Sequence, residues 1–123
     1  MTEKKSAIAE LGRDAFLIVF DALTELIGAW SIAKGFQKEG LHRNIGEVIA
    51  LMHSELSEAL EGARHGNPPD EHCPEFNTLE VEFADLLIRV FDACHERKLR
   101  LGPALLAKLA YNDGRPYKHG KKF

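Results

Sequence analysis

Read for spacing alone, the hydrophobic residues of this chain recur at threes and fours in four separate stretches, the period of amphipathic helices. The first runs from residue 3 to residue 34. Its Ile8, Leu11, Phe16, Leu17, Val19, Phe20, Leu23, Leu26, Ile27 and Trp30 make a band wider than the roughly 100° stripe that covers one core. A long helix is predicted, with Gly12 and Gly28 as points where it can break, and with a surplus apolar face for a second copy of the chain. No other stretch shows a comparable surplus. Lys34-Gly35-Phe36 supplies the usual stop signals, a basic last turn and a glycine just beyond it.

Residues 37 to 43 form a polar connection, after which Asn44 and Glu47 have the spacing of an N-cap and its capping-box partner. The second helix is predicted from about 45 to 64, with Ile45, Val48, Ile49, Met52, Leu56, Ala59, Leu60 and Ala63 as its apolar set. Residues 65 to 77 are rich in Gly and Pro and long for a helical hairpin, the profile of a functional lid or a disordered tip. Asn77 or Thr78 then caps a third helix reaching about Arg97, with Leu79, Phe83, Leu86, Leu87, Val90 and Phe91 as its apolar set. Gly102-Pro103 opens a fourth, ending near Asn112, whose Leu105, Leu106 and Leu109 are expected to face the core. The last stretch, 113 to 123, is basic and punctuated by Gly and Pro. No strand pattern or repeat is present, so the expectation is an all-α single domain of four helices over residues 1–123.

Composition narrows the functional classes. A net charge of -3 and a pI near 6.1 give no drive toward a nucleic acid polymer or an anionic membrane. The longest uninterrupted apolar run, Ala15 to Phe20, is far short of the roughly 20 residues of a membrane span, and the polar N-terminus has no secretory pattern. Cys73 and Cys94 have neither metal nor redox spacing. A reduced, cytoplasmic protein with no membrane partner is expected.

The candidate chemistry lies in two acidic pairs, Glu55-Leu-Ser-Glu58 and Glu82-Phe-Ala-Asp85. Residues three apart share a helix face, so two neighbouring helices would gather four carboxylates into one cleft. At a separation of about 6 Å and an effective dielectric of about 20, each pair repels by roughly 3 kcal/mol. Such a cluster calls for protonation or a cation, and oxygen ligands completed by substrate phosphates suit Mg²⁺. The apolar neighbours of all four acids argue against plain surface charge.

At these residues the chain resembles the MazG-like, all-α nucleoside triphosphate pyrophosphohydrolases. The likeness is carried by Ser54-Glu-Leu-Ser-Glu-Ala-Leu-Glu61, by Glu82-Phe-Ala-Asp-Leu-Leu-Ile-Arg89, and by the tail with Lys108-Leu-Ala-Tyr-Asn112 and Arg115-Pro-Tyr-Lys-His-Gly120. Trp30 and Lys34-Gly-Phe36 add an aromatic and a Lys-Gly turn where that family tends to carry them. The resemblance spans roughly residues 26 to 123. It implies an intertwined homodimer or homotetramer that cleaves a (deoxy)nucleoside triphosphate between its α and β phosphates as pool house-cleaning, with Mg²⁺, or Mn²⁺ in its place, held by Glu55, Glu58, Glu82 and Asp85.

Within that expectation Glu55 or Glu58 accepts the proton of the attacking water. Lys108, Arg115, Lys118 and Lys121 are candidates for phosphate contacts. Asn112 is a candidate for the sugar or base, Trp30 for stacking on the base, Lys34 for its place in the Lys-Gly turn, and His42 and Asn44 for the nucleoside. Two other readings compete: hydrolysis of phosphoribosyl-ATP by a related acidic site, and a helical dimerisation or binding module without activity. Asp92-x-x-His95 lacks the second copy a carboxylate-bundle iron site needs. The irregular His65, His72 and Cys73 do not make a zinc site, and His53 is turned away from the acids.

Overall fold

The computed structural model describes residues 2–123, with side chains described from residue 12 onward; Ile8 and Leu11 of the predicted apolar band therefore lie outside the described side chains. The described residues form four α-helices, α1 (Thr2–Ala33), α2 (Ile45–Arg64), α3 (Thr78–Arg97) and α4 (Leu101–Asp113), followed by a single 3-10 turn, Tyr117–Gly120. The fold is all-α. Two isolated bridges, Lys38 to Leu41 and Pro69 to Asn77, tighten connections without building a sheet.

Helix boundaries follow the caps. Asn44 accepts a hydrogen bond from the Glu47 backbone N–H at 3.2 Å, and Asn77 accepts one from Glu80 N–H at 2.9 Å, each satisfying a donor that the first helical turn leaves free. Lys98 ends α3 in the left-handed conformation. α1 is continuous: neither Gly12 nor Gly28 breaks it. The segment Gly12–Ala33 is 22 residues long and is long and apolar enough, by length and composition, to cross a bilayer. The count of uninterrupted apolar residues overlooks this because Asp21 and Glu25 divide the run.

The chain divides into two compact units, one formed by Met1–Leu23 with Leu99–Phe123 and the other by Thr24–Lys98. In the first, Gly102 packs against Phe20 and Leu17, leaving a Cβ only 3.2 Å from the Phe20 side chain, and Phe16 stacks on Phe20 with ring centroids 4.3 Å apart. Of the three leucines expected in the core, Leu109 is 55% exposed, Leu105 is exposed and Leu106 is half-buried. That short helix has too little facing surface within its unit to cover them.

In the second unit α2 and α3 pack against each other. Gly62 lies against Thr78, Glu58 against Glu82, and Glu55 against Arg89, so the helices run antiparallel. The buried apolar set is small: Val48 and Ala59 from α2, Phe91, Ala93 and Cys94 from α3. Leu51, Leu56, Leu60, Phe83 and Leu87 are exposed. The surplus apolar surface expected on α1 alone therefore extends to α2 and α3, because a two-helix hairpin can bury only one side of each helix.

The 65–77 connection is held by hydrogen bonds. Asn67 Oδ1 accepts from Leu79 N–H at 2.9 Å, Thr78 Oγ1 donates to Pro68 O at 2.7 Å, and Asp70 Oδ2 accepts from the backbones of His72 and Cys73. Asn67 adopts φ 52° and Gly66 φ 81° to start this turn.

Candidate functional site

The antiparallel pairing of α2 and α3 brings the two acidic pairs together midway along the hairpin. Ligand oxygens of Glu55, Glu82 and Asp85 all lie within 4.8 Å of one another. Glu55 is buried, and the other two are half-buried. Glu58, fourth of the expected set, is exposed and stands within hydrogen-bonding reach of Glu82. The geometry is thus a cluster of three with a neighbour, not four equivalent ligands.

Three carboxylates at such separations repel by about 3 kcal/mol per ionised pair at an effective dielectric of about 20. Burial, then the adjoining Glu58 and Glu55, push the Glu82 carboxyl up to about 7. Burial and the charge of Glu55 raise Asp85 as well, while the guanidinium of Arg89 partly offsets them. Oε2 of Glu82 is buried with no hydrogen-bond partner among the described residues. Arg89 supplies compensation, its Nε donating to Oε1 of Glu55 at 2.7 Å. An all-oxygen donor set with an orphaned buried carboxylate oxygen fits a hard divalent cation such as Mg²⁺.

Next to the acids opens a cavity of about 260 Å³. Glu55, Asp85 and Arg89 line it together with Trp30 and Phe36, whose ring centroids are 5.8 Å apart, and with Arg43 and Asp92. The volume is below the roughly 300 to 1,000 Å³ typical of sites that enclose a drug-sized ligand, so a ligand of that size would be only partly enclosed.

Arg43 and Asp92, which line this cavity, belong to a polar network that sequence reasoning missed. Arg43 Nη1 donates to Asp92 Oδ2 at 2.7 Å and its Nε to Glu96 Oε2 at 2.9 Å. Gln37 Nε2 donates to Asp92 Oδ1 at 2.7 Å, its Oε1 meets His95 Nδ1 at 3.2 Å, and Arg97 Nη2 holds the Arg43 carbonyl at 2.6 Å. Burial alone would raise the Asp92 carboxyl, but hydrogen bonds from Arg43 and Gln37 outweigh it and hold it below the ordinary value. Asp92 and His95, weighed and set aside as an iron motif, are thus parts of a network that anchors the 37–43 connection to α3. Only the helical spacing of Asp92 and Glu96 on α3 hinted at it, since the partners lie 49 to 58 residues away in sequence.

Of the remaining candidates, Trp30 reaches the cavity shared with Glu55 and Asp85. Lys34 is exposed in the turn that closes on Gly35, where φ is 82°. His42 borders a different cleft with His95 and Glu96, and the Asn44 side chain is engaged in capping α2. Lys108, Asn112, Arg115, Lys118 and Lys121 belong to the first unit. There Lys108 and Arg115 lie over the Tyr111 ring and Lys118 over Tyr117, while Lys118 and His119 adopt left-handed backbone conformations. His53 is exposed, and His65 bonds within its own helix end to Glu61.

Comparison with protein-family models, with curated proteins and with solved structures gives no match, so no family is assigned and the site is read from its own residues.

Proposed function

We propose that this chain is a Mg²⁺-dependent nucleoside triphosphate pyrophosphohydrolase that cleaves between the α and β phosphates. The observation that carries the reading is the meeting of Glu55, Glu82 and Asp85 within 4.8 Å, two of them lining a cavity that Trp30 and Phe36 also line. Glu55, Glu82 and Asp85 hold the ion, and Mn²⁺ can take its place. When bound, it supplies charge neutralisation of the polyphosphate, the main requirement of phosphoryl and nucleotidyl transfer.

The residues divide the remaining work. Glu58, exposed beside Glu82 and outside the cluster of three, accepts a proton from the attacking water; Glu55 is the weaker candidate because Arg89 already occupies one of its oxygens. The water oxygen bonds to the α-phosphorus, the bond to the β-bridging oxygen breaks, and pyrophosphate leaves with that electron pair. Trp30 offers its ring to the base. The resemblance to MazG-like enzymes supports the same reaction, though it implies Glu58 as a fourth ligand, and the uncovered apolar rows on α1, α2 and α3 support assembly from two or four copies. Asp21 and Glu25, both exposed within Gly12–Ala33, favour protein over lipid as the cover for α1, and hence a cytoplasmic enzyme.

The test is product analysis with each nucleoside triphosphate and Mg²⁺. Monophosphate plus pyrophosphate is the expected outcome; diphosphate plus orthophosphate, or no turnover of any nucleotide or of phosphoribosyl-ATP, rejects the reading. Glu58→Gln and Asp85→Asn should each lower kcat at least a hundredfold, on the order of a lost general base or metal ligand, with unchanged helicity by circular dichroism.

A further inference from the structure

Two guanidinium groups face the cavity beside the acid cluster, and they are not equivalent. Arg43 is engaged by Asp92 and Glu96. Arg89 spends only its Nε, on Glu55; its two Nη groups have no hydrogen-bond partner among the described residues, and its side chain is 37% exposed. Arg89 also stands one helical turn beyond Asp85, about 6 Å along the α3 axis, and Asp92, which lines the same cavity, follows it by less than a further turn. Along α3, Arg89 therefore comes between Asp85 and the residue bonded to Gln37, the neighbour of Phe36 in the chain.

A planar fork with two free donors matches the oxygens of a phosphate. The other charged groups of the lining are the acids Glu55, Asp85 and Asp92 and the second guanidinium, Arg43, which already bonds two carboxylates and whose remaining Nη2 is buried. Arg89, with both Nη groups free, is therefore the better-placed donor to an entering phosphate. We propose that Arg89, through Nη1 and Nη2, binds the phosphate nearest the nucleoside, the α-phosphate at which the bond is cut, and keeps hold of it in the monophosphate product. This rests on the pyrophosphohydrolase reading for the direction in which the nucleotide lies: outer phosphates at the acids, base at Trp30.

The experiment separates this contact from the cation. Calorimetric titration of wild type, Arg89→Gln and Arg89→Lys with dAMP, dCMP, dGMP and dTMP is made in EDTA, and with inorganic pyrophosphate in Mg²⁺. For the preferred monophosphate, Arg89→Gln should lose roughly tenfold in affinity, the size of one charge-assisted contact. Arg89→Lys should recover part of that loss, and pyrophosphate affinity should fall less than monophosphate affinity. Unchanged monophosphate binding in Arg89→Gln, a larger loss for pyrophosphate than for monophosphate, or no monophosphate binding by wild type overturns the assignment. Wild-type turnover separates the two claims. If wild type releases pyrophosphate while Arg89→Gln binds monophosphate normally, only the role of Arg89 falls. If wild type hydrolyses nothing yet Arg89→Gln loses monophosphate, Arg89 stands as a phosphate contact and the enzymatic reading falls.

Discussion

Gly28 on α1 lies directly against the imidazole of His95 on α3, so closely that a Cβ at position 28 would overlap the ring. His95 is held in place by Gln37, which also grips Asp92. Gly28→Ala must push the ring away from that partner, and overpacking of this kind costs about 1 to 3 kcal/mol. Urea denaturation should show the loss. Gly12→Ala is the matched control. It has open space within 4 Å and sits in the same helix, so the gain in helix propensity should stabilise the protein by up to about 1 kcal/mol.

The acid cluster makes stability depend on pH in a direction opposite to that of ordinary ion-paired carboxylates. Glu82, raised to about 7 in the folded chain from an ordinary 4.5, keeps its proton while the unfolded chain releases it. Across that window the folded state binds more protons, so stability falls as pH rises and levels off above about 7. In EDTA the melting temperature should decline from pH 5 to pH 7.5, and Glu82→Gln should flatten the decline. Added Mg²⁺ at pH 7.5 should reverse it, with more protons released per ion at pH 6.5 than at pH 8 by calorimetry in paired buffers. A melting temperature that climbs over the same range without metal contradicts this account. Asp92, held low, acts the other way: its contribution is complete above the ordinary carboxylate value and is lost as pH falls through its own lower one.

Arg43→Ala strips two carboxylates of a shared partner. Side chains of Asp92 and Glu96 are only 12% and 3% exposed, so both would lose their partner with little water to replace the guanidinium. A loss of about 2 to 3 kcal/mol is expected, discounted from the fully buried case because Arg43 itself is partly exposed. Arg64→Ala, which removes an exposed pair with Glu61 at 4.0 Å, should change stability by less than about 0.5 kcal/mol. Chemical denaturation of the two variants side by side checks the contrast.

The apolar row on α1 gives a fourth expectation. Ile18 and Leu26 are among its most exposed members, at 68% and 67%. Leu26→Lys should shift the sedimentation coefficient toward that of a smaller assembly at low micromolar concentration. An unshifted species of monomer mass in both proteins, or recovery of wild type only with membranes, overturns the oligomer.

How much of this was legible in the sequence depends on how far apart the partners lie. The ends of α2 and α3 were readable because Asn44 and Asn77 act on backbone groups three residues away. The meeting of Glu55 with Glu82 and Asp85 was readable because two pairs on a helical hairpin come into register once the helices are antiparallel. The Arg43, Gln37, Asp92 and Glu96 network was not, since Gln37 and Arg43 carry no periodic signal in a connection that reads only as polar. Burial of α4 leucines was misjudged for a related reason: apolar spacing says which face is greasy, not whether anything within the chain covers it.

Both stems of the 65–77 connection are tied down, by Asn67 and Thr78 on one side and by the Pro69–Asn77 bridge on the other, while residues 71 to 76 face solvent. Changes in length at that tip are therefore mechanically insulated from the helices below. Lineages could lengthen, shorten or decorate it and keep the spacing of the carboxylates untouched, which makes this turn the place where new specificity can be tried at little risk.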